Sequence, residues 1–155
     1  MPIWPLCSAV HAAGAFTGEG ARRFGGRWNS RGVPMVYCSS PLALAAIELF
    51  VHLDPTEAPD DLVSISAMLP EGEPARAVTS DELGREWWAD VAMTREMGDA
   101  WIRAGSSLAL RVPSVPIRVE WNVLLNPLHP RMAEVRTDAA RPFIFDARMF
   151  ARGAK

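Results

Sequence analysis

The chain is short of most features that would assign a protein to a class at sight. It has two cysteines, Cys7 and Cys38, in 155 residues. That is too few for a disulfide framework, and they lack the paired spacing of a metal finger. Cys38 lies in a strand-like segment, where a free thiol behaves as a small buried hydrophobe, so both cysteines are expected to be reduced and inert. Long hydrophobic runs are missing too. The longest, Leu42 to Leu53, falls short of the ~20 residues a bilayer requires and is interrupted by Glu48 and His52. No basic stretch precedes the apolar N-terminal residues, so a secretory leader is not expected and the reading is cytoplasmic. Charge of one sign is also lacking. Sixteen basic against eighteen acidic residues give a formal charge of -2, without the basic footprint of a chain that binds nucleic acid directly. Repeats, low-complexity blocks and charge runs are absent, so nothing divides the chain into more than one domain.

What is present is an ordinary globular composition, 49% hydrophobic and 22% charged, long enough for one real core. Thirteen prolines punctuate many short elements. The Gly-rich segment from Ala12 to Gly32 reads as an ordered loop that brings backbone close to something. Met35–Cys38 reads as a strand, followed by a helix capped by Ser40, with Pro41 in its first position, that runs on towards Leu53. Leu62–Met68 alternates as a half-buried strand does. Thr79 and Glu82 form a capping box opening a short helix towards Trp88. A second helix spans about Val91–Ala104 and ends at Gly105. Leu108–Val112, Val119–Leu125 and Phe143–Phe145 are strand-like. The order predicts an α+β fold, with helices packed on mostly antiparallel sheet.

The densest chemical signal is Gly25-Gly26-Arg27-Trp28-Asn29, followed by Tyr37 and then Glu48. Arg27 follows two glycines, and its planar fork suits bidentate contact with phosphate oxygens. Tyr37 ends a strand, where its ring can stack on a flat ligand while the hydroxyl stays available. Glu48 lies in an otherwise apolar helix, grouped with Leu44, Ala45 and His52, so its carboxylate needs a partner or a purpose. Plainer readings stand beside these. Arg27 could salt-bridge a surface acid, Trp28 and Tyr37 could be core, and Glu48 could pair with His52.

The stretch from Gly18 to Leu53 resembles the N-terminal signature of the RES domain family, named for Arg, Glu and Ser. Val112-Pro113-Ser114, Glu120-Trp121-Asn122, Asn126-Pro127, His129-Pro130 and Phe145–Arg148 extend the likeness to about residues 3–148, making residues 1–155 a single RES domain. The resemblance implies an ADP-ribosyltransferase-like fold and the toxin half of a toxin–antitoxin pair. It implies NAD as substrate, no metal, and an Xre-type antitoxin with a helix-turn-helix domain as partner. Arg27 would grip the NAD diphosphate, Tyr37 would line the nicotinamide end with Trp28 and Asn29 alongside, and Glu48 would serve the reacting ribose. Ser114 would be the family serine, with Ser107 as the alternative. The acceptor stays open: water gives a glycohydrolase, phosphate a phosphorylase, and a protein side chain an ADP-ribosyltransferase. One departure is Pro5 after Trp4, where family members often carry arginine. Arg22 or Arg23 could compensate, or the chain could be a nucleotide-binding module with weakened catalysis. His129 reads as a structural turn residue.

Overall fold

A computed structural model describes residues 1–74 and 76–150; residues 151–155 of the expected domain lie outside the described residues. In chain order the elements are β1 (Leu6–Ser8), α1 (Glu19–Phe24), β2 (Val36–Ser39), α2 (Leu42–Phe50), β3 (Leu62–Ser64), β4 (Ala67–Met68), β5 (Arg76–Ala77), α3 (Ser80–Leu83), α4 (Val91–Ala104), β6 (Ala109–Pro113), β7 (Trp121–Leu125), β8 (Arg136–Thr137) and β9 (Arg141–Pro142). Short 3₁₀ turns at Ala9–Gly14, Trp87–Ala89, Pro130–Glu134 and Ala147–Met149 join them.

The central sheet has the order β2-β7-β6-β5, and β5 alone runs parallel to its neighbour. A three-stranded sheet, β1-β3-β9, and the pair β4-β8 are antiparallel throughout. The fold is therefore α+β with mostly antiparallel sheet, as the patterning predicts.

Strand register divides the side chains of the central sheet. Tyr37 pairs with Leu124, which pairs with Leu110; Ser39 pairs with Asn122, which pairs with Val112. Because side chains alternate along a strand, these residues share one face. Val36, Cys38, Ala109, Val123 and Leu125 share the other. Each face carries its own core. Met35, Leu110, Val112 and Leu124 pack with Trp28, Val78, Trp87 and Trp101 on the first. Ile3 and Ala67 complete the second. Burial of such side chains contributes roughly 1.5–3 kcal/mol each.

Several local expectations hold. The helix α4 spans Val91–Ala104, with Asp90 accepting from the Met93 N–H at 2.9 Å and Gly105 in the left-handed conformation at its end. The capping box is reciprocal: the Thr79 N–H donates to Glu82 Oε2 at 2.7 Å and the Glu82 N–H to Thr79 Oγ1 at 3.4 Å.

Others are corrected. The helix α2 begins at Leu42, because Pro41 is extended and caps it without a side-chain bond, leaving Ser40 outside; it ends at Phe50. The Gly-rich segment is not all loop, since it contains α1, in which Glu19 pairs with both Arg22 and Arg23. Leu62–Met68 is split into two strands that join different sheets. Pairing beside β3 falls on Arg141–Pro142, and Phe143–Phe145 instead turns its rings into a cluster with Phe50 and Phe150. Both cysteines are free, and burial pushes each thiol up from its ordinary value, with Asp61 adding to the rise at Cys7.

Candidate functional site

The loop that carries Arg27 is fastened to α4. Thr94 Oγ1 donates to the Arg27 carbonyl at 2.7 Å, and Arg95 Nε donates to the Gly26 carbonyl at 2.7 Å. Asp99, a buried acid, accepts from the Ser30 N–H at 2.9 Å. Gly98 lets the two backbones touch, because a Cβ there would lie 1.8 Å from the Trp28 carbonyl oxygen. Asn29 completes the anchorage. Its amide nitrogen donates to the carbonyls of Ala21 (2.8 Å), Val33 (2.9 Å) and Ser30 (3.2 Å).

Tyr37 closes this network from the sheet. Its hydroxyl donates to Asn29 Oδ1 at 2.7 Å and accepts from the Trp28 N–H at 3.0 Å. Burial, the largest influence, raises the phenol well above its ordinary value. The hydroxyl is thus not free for a ligand, contrary to expectation. Gly26 is small because the phenol sits against it: a Cβ would meet Tyr37 Oη at 2.5 Å.

Trp28 and Asn29 are 3% and 0% exposed and satisfied within the protein, so both hold the loop and offer no surface to a ligand. Of the plainer readings, the structure bears out Trp28 as core and Tyr37 as packed against the same core.

The Arg27 side chain is half-buried. Its Nη1 donates to the Trp88 carbonyl at 2.9 Å, and among the described residues it makes no ion pair. The surface salt bridge is therefore not what Arg27 does. The rest of its guanidinium is left available, over the loop that Tyr37 supports.

Glu48 projects from α2 onto the same sheet face, where Asn122 Nδ2 donates to its Oε1 at 2.5 Å. Ser39 Oγ donates in turn to Asn122 Oδ1 at 2.6 Å, which fixes the amide so that its nitrogen faces the carboxylate. The partner of Glu48 is thus Asn122; His52 is exposed and not bonded to it. Oε2 of Glu48 accepts no bond among the described residues. No side-chain polar atom there is both buried and unpartnered, so this oxygen faces solvent.

Ser39 lies two residues from Tyr37 on the same strand face, roughly 7 Å along it. The register therefore sets the Arg27 loop, Tyr37, Ser39, Asn122 and Glu48 along one side of the sheet. Trp4 extends this row, since it bridges Ser39 through two backbone bonds.

Sequence reasoning gave no role to Asn122 and did not single out Ser39. Glu120-Trp121-Asn122 was visible as a motif, but only strand pairing brings Asn122 under Glu48.

Ser114 is fully buried two residues beyond Val112, at the site end of β6, and its hydroxyl accepts from the Ile117 N–H at 3.1 Å. It shapes the turn between β6 and β7. Ser107 lies towards the opposite end of β6, five residues from Val112, or about 16 Å along a strand. Its hydroxyl is bonded to Trp101 Nε1 and the Ala109 carbonyl, so Ser107 does not reach this site. His129 accepts from the Arg131 N–H through Nδ1 and caps the turn Pro130–Glu134, as a structural histidine does. Arg22 and Arg23 are tied to Glu19, which they hold down at about 2. Among the described residues no three His, Cys, Asp or Glu side chains gather as metal ligands, and no helix is long and apolar enough to cross a membrane.

A wide hollow lies elsewhere. An open groove of about 780 Å³ is lined by Ala12, Phe16, Ile65, His129, Met132 and Asp138 among others, over the opposite face of the central sheet. It is mostly apolar, and its carboxylate, Asp138, is bonded to the Ser66 hydroxyl with no arginine in the lining, whereas the Arg27–Glu48 row has charges of both signs that are open to a ligand. The chemistry favours the row.

Fold and site together define a small α+β protein with a polar, arginine-flanked site along one face of its central sheet. The chain matches the RES domain model over residues 2–146 and belongs to the RES domain family. It is similar to the protein named Toxin Res of Photorhabdus laumondii, with 34% identity over 130 residues covering 83% of each chain. It is also similar to the Prs ADP-ribosylating toxin of a Sphingobium species, at 33% identity over 147 residues, 92% of this chain and 91% of that protein. Among solved structures, the crystal structure of the M. tuberculosis MbcT–MbcA toxin–antitoxin complex contains a similar chain. The TM-score is 0.74, with 92% of this chain and 84% of that one covered. At 16% identity this last likeness speaks for the fold alone.

Proposed function

We propose that this chain is a single RES unit, the toxin half of a toxin–antitoxin pair, and that it consumes NAD by breaking the nicotinamide–ribose bond. One observation carries the reading: a carboxylate with one oxygen pinned by Asn122 and the other open to solvent shares a sheet face with the loop that presents Arg27. The names of the similar proteins support it, since they are toxins and one is named for ADP-ribosylation.

In this reading Arg27 holds the diphosphate, which orients the bond to be broken. The Tyr37 ring floors the site between the two charged groups. The bond from the ribose carbon to the nicotinamide nitrogen breaks, and its electron pair leaves with neutral nicotinamide. The ribose carbon becomes oxocarbenium-like, and the negative Glu48 stabilises it while hydrogen-bonding the ribose hydroxyls. Water then adds to that carbon and loses a proton, giving ADP-ribose; phosphate in its place gives the phosphorolysis product. Ser114 contributes by shaping the turn above the site.

A second reading, transfer of ADP-ribose to a protein side chain, draws on the name of the Sphingobium relative. Purified protein incubated with NAD, with and without phosphate, separates the readings. ADP-ribose or its phosphate identifies the small acceptor, and a labelled protein band identifies transfer. Absence of free nicotinamide under all conditions would defeat both readings and leave a binding module. An enzyme that depletes NAD harms its own cell, so the partner is an antitoxin, of Xre type with a helix-turn-helix domain, acting in the cytoplasm. DNA contact would then be made by that partner.

A further inference from the structure

Two arginines are mounted on one tryptophan. Arg27 donates to the carbonyl of Trp88, and the Arg118 guanidinium lies 3.7 Å over the centre of the Trp88 ring. Stacking uses the flat face of a guanidinium and leaves its in-plane N–H donors free. Arg118 is exposed, and among the described residues it makes no ion pair and no hydrogen bond to a side chain or carbonyl through its guanidinium. The two cations are therefore held near each other with neither neutralised by an acid.

The loop that bears Arg118 is built. The Ser114 N–H donates to the Glu120 carbonyl at 2.9 Å, the Glu120 N–H donates to the Ile117 carbonyl at 2.8 Å, and Ser114 Oγ accepts from the Ile117 N–H. Val115 packs on the same core as Trp88, which brings the loop down on the site face. Of the other arginines near the Gly-rich segment, Arg22 and Arg23 are tied to Glu19 and Arg95 Nε is bonded to the Gly26 carbonyl, while Arg31 within the segment is exposed and has no contact with Trp88 like that of Arg27 or Arg118.

We infer that Arg118 is the second cation of the dinucleotide site, clamping the diphosphate opposite Arg27, and that Ser114 acts as a positioning residue for the loop that presents it. A diphosphate carries two negative charges and presents oxygens on both sides, so two guanidinium forks approaching from different chain segments match it better than one. This rests on the NAD reading above and adds to it a specificity element on the β6–β7 loop.

The test uses the full chain and calorimetric binding of ADP-ribose and of adenosine, alongside NAD turnover. R118A is expected to weaken ADP-ribose binding by about tenfold or more, the scale of a lost charge-assisted hydrogen bond. The KM for NAD rises in step while kcat stays within about twofold, and adenosine binding is unchanged. R118K restores part of the affinity, since it returns the charge without the fork. Ser114→Ala shifts KM in the same direction by a smaller factor. Equal ADP-ribose binding by R118A and wild type overturns the assignment of Arg118 while leaving the NAD reading in place. Equal weakening for ADP-ribose and adenosine overturns it too, by showing a general disturbance. A wild type that binds neither ADP-ribose nor NAD removes the underlying reading and this inference together.

Discussion

The two faces of the central sheet are built from the same strands, yet they differ in what they leave unfinished. One face carries Val36, Cys38, Ala109, Val123 and Leu125 and faces an open groove of about 780 Å³. The other carries Tyr37, Ser39 and Asn122 and supports Arg27 and Glu48. The hollow is mostly apolar, and its lining carboxylate, Asp138, accepts from the Ser66 hydroxyl with no arginine in the lining beside it. The polar face presents a guanidinium with no ion pair among the described residues and an open carboxylate oxygen on a rigid base. Preorganised charge, more than cavity size, marks the site.

If this contrast is right, its removal at Glu48 has the largest effect. Glu48→Gln keeps the size and the bond to Asn122 but removes the negative charge, so nicotinamide release should fall by about 10²–10³-fold, the cost of losing one electrostatic stabiliser. ADP-ribose binding and the thermal midpoint should stay near wild type. Arg27→Ala should raise the KM for NAD by about tenfold or more with a smaller change in kcat, as expected for a lost charge-assisted contact. Asn122→Ala should reduce kcat by about tenfold, because the carboxylate stays but is no longer aimed; Ser39→Ala should do less. Met132→Ala, on the opposite face, should leave both constants within about twofold of wild type, as a substitution remote from the chemistry. A loss there as large as at Arg27 would erase the distinction between the faces.

The polar face also makes a spectroscopic prediction. Tyr37 is the chain's one tyrosine, so the tyrosinate absorbance of the protein reports it alone. Its folded value is raised above the ordinary 10.0, chiefly by burial. The protonated phenol therefore belongs to the folded state, and stability is intact below pH about 10, where unfolded tyrosine is also protonated. Above that pH the unfolded chain releases its proton first and stability falls. Tyrosinate should appear only together with unfolding; ordinary titration near pH 10 in the folded protein would show an open phenol.

How much of this was legible in the sequence follows from how far each contact reaches. The ends of α4 are marked locally, at Asp90 and Gly105, and the Thr79–Glu82 box is three residues long; both could be read directly. The helix α1 was hidden because Gly18, Gly20 and Gly25 weaken the helical pattern around Glu19–Phe24, and its stabilising pairs, Glu19 with Arg22 and Arg23, are easily taken for scattered charge. Phe143–Phe145 has strand composition, but its rings complete a cluster with Phe50 and Phe150, and tertiary packing decided against propensity. At the site, Arg27, Tyr37 and Glu48 stood out by residue type and by resemblance. Their actual partners did not: Asn122 is 74 residues from Glu48, and Asp99 is 69 from Ser30. The same long reach explains why Trp28 and Asn29 looked like ligand contacts. Nothing in the local string shows that Gly98 and Asp99 bury them under α4.

The most direct measurement is a crystal structure of the Glu48→Gln chain soaked with NAD. The account predicts the diphosphate on Arg27, with the nicotinamide ribose within hydrogen-bond distance of residue 48. NAD seated instead in the groove lined by Phe16 and Met132, with Arg27 and residue 48 untouched, would contradict it.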